Sequence, residues 1–164
     1  LAQGEVDAVF GFAFSVILNL KAQGVEADDI VPILMAEHGL DLYGNAILVN
    51  TNFAEENPEA VKGFLRALTK GFRDAVNDVD AGIDAVLQRA EILNRDVEIE
   101  RLTMANEMNI NTAYVQENGF GGIDMDRLQR AFDQLTVSMG LTGAVGPEDV
   151  VDMQFLPPAE DRMF

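Results

Sequence analysis

The chain has 164 residues, 48% hydrophobic and 24% charged, a globular balance that excludes a disordered tail or a fibre. Eleven Lys and Arg against 28 Asp and Glu leave a net charge of −17, which excludes a phosphate-reading surface for nucleic acid or an anionic membrane. No cysteine is present, so disulfides, thiolate metal sites and cysteine nucleophiles are excluded together.

Residues 1–4, Leu1-Ala2-Gln3-Gly4, read as a last helical turn closed by glycine. A short buried strand is expected over 6–10, then a turn at Gly11 and Phe12 and a helix over 13–22 ending at Gly24. The order helix-end, strand, helix implies an α/β unit whose front lies upstream. Any targeting segment would lie there too. A second strand is expected over 30–35, with Pro32 suiting a sheet edge, and a third over 46–49. Between them lies the polar stretch from Glu37 to Asn45, punctuated by Gly39 and Gly44.

The remainder reads as helical. Asn57 before Pro58 is an N-cap with proline at the first helical position, followed by Val61, Phe64, Leu65, Leu68, Phe72 and Val76 at helical spacing. Asp80, Asp96 and Asp124 are expected to cap three further helices, the last closed by Gly140. The tail, with Pro147, Pro157 and Pro158, reads as an extended strap. No longer apolar run reaches the roughly 18–20 residues of a membrane span, so a soluble chain is expected.

Catalytic chemistry finds little material. His38 is the single histidine, and Glu37 and Asp41 beside it do not complete a ligand set, so no metal and no catalytic residue is expected. Ser15 and Ser138 sit in no nucleophile elbow. Residues 119–122, Gly119-Phe120-Gly121-Gly122, resemble a phosphate loop but follow no strand and lack the Lys-Ser/Thr partner, so they read as a connector. The run Phe10-Gly11-Phe12-Ala13-Phe14-Ser15 is different: aromatic rings and a hydroxyl meet where a strand ends and a helix begins. That arrangement serves either a core or a ligand at the carboxyl end of a strand.

The run Gly4-Glu5-Val6-Asp7-Ala8-Val9-Phe10-Gly11-Phe12 resembles the G-x-V-D-A strand of substrate-binding proteins of nitrate, sulfonate and taurine importers and of thiamine-pyrimidine-precursor binders. The resemblance continues through residues 41–45 and 47–50, the Asn57-Pro58-Glu59-Ala60-Val61 helix, residues 121–124 and Phe155-Leu156-Pro157. It implies an α/β fold, part of a two-lobed, type II periplasmic-binding-protein architecture. Residues 1–36 would be the C-terminal part of the second lobe, 37–45 the return crossover, and 46–164 the mostly helical C-terminal part of the first lobe.

The function so implied is the extracytoplasmic, periplasmic solute-binding component of an ABC importer. It would hold a small nutrient, nitrate-, sulfonate- or taurine-like or pyrimidine-like, and pass it to a membrane permease without a cofactor. Phe10, Gly11, Phe12, Ser15, Glu37, His38, Tyr43 and Asn45 are then the expected ligand contacts. An N-terminal half of the same protein, or self-association, would cover the apolar strands. A thiamine-pyrimidine synthase of the same fold is the alternative, although its cysteine-rich iron motif has no counterpart here.

Overall fold

A computed structural model describes residues 1–90, 92–143 and 145–164. The elements are helical: α1 (Ala13–Ala22), α2 (Thr51–Glu56), α3 (Pro58–Asn77), α4 (Val79–Leu87), α5 (Arg95–Ala105), α6 (Ala113–Asn118) and α7 (Met125–Met139), with a long connection over 23–50 between α1 and α2. The chain forms two compact units, residues 1–34 with 74–112, and residues 35–73 with 113–164.

The expected α/β architecture, as part of a type II periplasmic-binding fold, is corrected by this structure. Among the described residues 61% of the chain is helical and no strand is present. The three runs expected as strands, 6–10, 30–35 and 46–49, form no ladder; no backbone hydrogen bond joins 6–10, 31–33 or 46–49 to any neighbour among the described residues. Apolar sequence makes a segment compatible with a sheet, but a strand exists only where another satisfies its N–H and C=O groups. Their side chains stay in water instead: Phe10 is 83% exposed, Val31 80% and Leu48 92%.

In the first unit α1 and α4 pack on α5. The buried apolar residues are Leu18, Leu20 and Ile83, with Leu18 only 2% exposed. Gly82 permits the close approach of α4, since a Cβ there would lie 3.2 Å from the Ala75 Cβ and 3.5 Å from Leu102 Cδ2. Caps differ by two residues from the expected ones: Asp78, not Asp80, accepts from the Ala81 N–H at 3.0 Å, and Asn94, not Asp96, accepts from Asp96 and Val97 N–H. The displaced acids take other work in part. Arg95 bonds Asp80 at 2.7 Å and Asp84 at 3.0 Å, and these hydrogen bonds push its already high pKa further up. Lys21 pairs with Glu100 across α1 and α5.

Helix α5 leaves regular geometry at a π-helical turn, Asn106–Ile110, where the Asn111 N–H reaches back to the Asn106 carbonyl at 2.8 Å. The Asn106 side chain is buried there, and its Oδ1 has no hydrogen-bond partner among the described residues.

In the second unit the Asp124 cap and the proline start hold, but the Asn57 side chain accepts from no α3 N–H among the described residues; its Nδ2 donates back to the Phe53 carbonyl at 3.3 Å. Helix α3 begins at Pro58, and Asp124 accepts from the Asp126 and Arg127 N–H groups to start α7. Gly140 closes α7 with φ +62°, and the Leu141 N–H returns to the Thr136 carbonyl at 3.0 Å. Ala54, Val61, Thr69 and Ala131 are buried. The same unit holds a ring cluster: Phe120 lies 4.5 Å from Phe72 and 5.3 Å from Phe164, centroid to centroid.

The expected strap, residues 147–164, is broken by three tight turns, and its end is locked onto the 119–122 connector. The Phe120 N–H donates to the Arg162 carbonyl at 2.9 Å. The Arg162 guanidinium, 8% exposed, donates from Nε to the Pro157 carbonyl at 2.8 Å and from Nη1 to the Phe120 carbonyl. Gly119 makes the turn possible. Its φ is +81°, and a Cβ there would stand 2.9 Å from the Ala159 carbonyl oxygen.

Candidate ligand-contacting residues and the family

Phe10, Gly11, Phe12 and Ser15 belong to the first unit, and Glu37, His38, Tyr43 and Asn45 to the second. Helix α1 is entered through Phe12, whose extended backbone (φ −66°, ψ 131°) precedes the first helical residue and whose carbonyl accepts from the Ser15 and Val16 N–H groups. No side chain caps this start. Phe12 stacks on Phe14, with centroids 5.2 Å apart and planes inclined by 17°. Phe10 projects into solvent beside Gly11, and Ser15 is half-buried. The result is an aromatic ledge at a helix entrance, with Phe12 itself 43% exposed. Phe14 belongs to the same sequence run but not to the expected ligand contacts; its spacing of two from Phe12 is the signal that pairs the rings.

In the second unit Glu37 and His38 lie on a tight turn, Met35–His38, and both are exposed. His38 and Leu40 face Asp133, Gln134, Val137 and Ser138 of α7 across an open hollow of about 600 Å³. Gln134 holds the hollow's shape by donating to the Gly39 carbonyl at 2.7 Å. The described residues contain no group of three His, Cys, Asp or Glu side chains placed to hold a metal.

Tyr43 is tied to the start of α7. Its hydroxyl accepts from the Asp124 N–H at 2.8 Å, and the Arg127 guanidinium lies 4.3 Å from its ring centre. Arg127 also donates to the Leu42 carbonyl at 2.9 Å and pairs with Asp41 at 2.8 Å. Tyr114 shares this neighbourhood: burial, then the proximity of Tyr43 and Asp124, raises its phenol pKa, against a smaller opposing pull from Arg162 and Arg127. Asn45 is exposed further along the segment. Nothing in the sequence announced Arg127, because its partners lie more than eighty residues upstream.

One guanidinium therefore pins residues 41–43 to α7. Arg127→Ala is expected to cost about 2 kcal/mol, from the lost cation–π contact and charged hydrogen bonds. Arg127→Lys should recover only part, since an ammonium keeps the charge but not the planar fork. Thermal unfolding of the two variants checks both.

The family model described as NMT1/THI5 like matches residues 1–82, half of the chain. The chain belongs to the NMT1/THI5-like family. Over 157 residues it is 25% identical to the riboflavin-binding protein RibY of Chloroflexus aurantiacus, covering 94% of this chain and 44% of that protein. The chain thus spans less than half the length of this curated relative. No solved structure matches it. The family and the name of this relative point to a binding protein. Proteins of this substrate-binding family are usually extracytoplasmic, and no helix among the described residues is long and apolar enough to cross a membrane.

Proposed function

We propose that this NMT1/THI5-like chain is part of the solute-binding component of an ABC importer, which captures a small planar nutrient outside the cytoplasmic membrane and hands it to a permease. The observation that carries this reading is the aromatic ledge at an uncapped helix entrance, where Phe10 and Phe12 stand exposed and the half-buried Phe14 stacks under Phe12. Exposed rings with low conformational freedom suit a flat ligand, which buries their faces and its own. The name of the Chloroflexus relative makes riboflavin, whose ring system is planar and edged with polar atoms, the first ligand to try.

Phe10, Gly11, Phe12 and Ser15 would contact the ring, with Glu37, His38, Tyr43 and Asn45 supplying polar orientation and residues 37–45 serving as crossover. The rest of a protein of the relative's length, or a second copy, would complete the enclosure. No bond in the ligand is made or broken.

The test is a titration of riboflavin, followed by its fluorescence, against the protein carrying this chain. Phe12→Ala and Phe10→Ala should each weaken binding about tenfold, the effect of roughly 1.4 kcal/mol of lost stacking and burial. Equal affinity in both variants and the parent would remove the ledge from the site. Recovery of a chemically altered ligand would favour an enzyme instead.

A further inference from the structure

The charge of this chain is distributed in a way that binding does not explain. The first unit carries 14 acids against 4 cations, a balance of −10, and the second 14 against 7, a balance of −7. Complete pairing of all 11 cations would therefore still leave 17 carboxylates unmatched. Lysine is scarce, at Lys21, Lys62 and Lys70 only. The ion pairs of Lys21, Lys62, Arg95 and Arg127 all lie at least partly in water, where each contributes little.

Against this repulsion stands a thin core. Among the described residues no large side chain is less than 2% exposed, and the buried apolar set is Leu18, Leu20, Ala54, Val61, Ile83 and Ala131. Folding draws like charges together, and unfolding lets them separate. The range of that repulsion is set by the solvent, from about 30 Å at 0.01 M salt to about 3 Å at 1 M. At low salt each carboxylate feels most of the others in its unit; at high salt it feels only its neighbours.

We infer that the fold is conditional on ionic strength: dissolved cations are required to hold this chain compact, and it is built for salty surroundings. The segment 26–29 gives a local handle, because Glu26, Asp28 and Asp29 are exposed and none of their side chains is hydrogen-bonded to a described residue.

The experiment is thermal unfolding of the purified chain by circular dichroism at pH 7, between about 0.01 and 1 M NaCl. The midpoint should rise on the order of 10 °C across that range. The triple variant Glu26→Gln, Asp28→Asn, Asp29→Asn should raise the midpoint at the low-salt end and leave it unchanged at the high-salt end. That second arm separates screening from the general strengthening of apolar burial by salt, which would act on parent and variant alike. A chain unfolded at low salt and folded at high salt is the strongest supporting result. A midpoint indifferent to NaCl, a chain unfolded at every concentration, or a variant whose advantage persists at 1 M overturns the inference.

Discussion

Arg162→Ala should lower the stability of the second unit by about 3 kcal/mol, the effect of losing two charge-assisted hydrogen bonds in a buried place. The guanidinium is 8% exposed and bridges the Pro157 and Phe120 carbonyls, so its removal leaves both acceptors facing a void. The Phe120 N–H still has the Arg162 backbone carbonyl to bond, but nothing then fixes the strap against the 119–122 connector. The Phe72, Phe120 and Phe164 rings, which pack beside that contact, should loosen with it. Urea unfolding read by circular dichroism measures the loss. Arg162→Lys reaches one carbonyl and not two, and belongs between parent and alanine variant. A loss under about 1 kcal/mol for Arg162→Ala would show that the carbonyls find water as readily as they found the guanidinium.

Leu18→Ala should cost the first unit a similar amount, about 3 kcal/mol from lost burial and the cavity left behind. Leu18 is the most buried large side chain described, on α1, which packs against α5. Its neighbours are already few. With Leu20 and Ile83 it makes up the buried apolar set of that unit, so little remains to collapse into the space. Val137→Ala is the control. That residue lies on α7 at 84% exposure, and its truncation should change stability by less than about 0.5 kcal/mol. If both variants lose equally, Leu18 does not sit in a packed core.

The helices were legible because their signals are local. Asn57-Pro58 and Asp124 mark the starts of α3 and α7, Gly140 marks the end of α7, and α1 runs from Ala13 to Ala22 as its pattern implies. Even the misplaced caps failed locally: Asp78 and Asn94 offer the same carbonyl-type acceptor two residues earlier than Asp80 and Asp96. Strands are another matter. Runs such as 6–10 and 46–49 carry the right residues, yet their state depends on a partner that no pattern within the run can supply. The candidate site divides the same way. Phe10, Phe12 and Ser15 were visible as a cluster in one stretch, whereas the hold of Arg127 on Tyr43 joins positions 84 residues apart. The π-helical turn at Asn106 was also invisible, since Asn106-Glu107-Met108 reads as ordinary helix.

The division of the chain into 1–34 with 74–112, and 35–73 with 113–164, sets an order of assembly on the ribosome. Neither unit is a continuous stretch. The first cannot close until Thr112 has been made, by which time 35–73 has already emerged without the segment that completes it. Helix α3 is shared, with its turns through Arg73 belonging to the second unit and its last residues from Asp74 to the first. The second unit waits longer still, for Arg162 and Phe164. During that wait the apolar face of α3 has no finished surroundings, and a nascent chain in this state is the form a chaperone would meet.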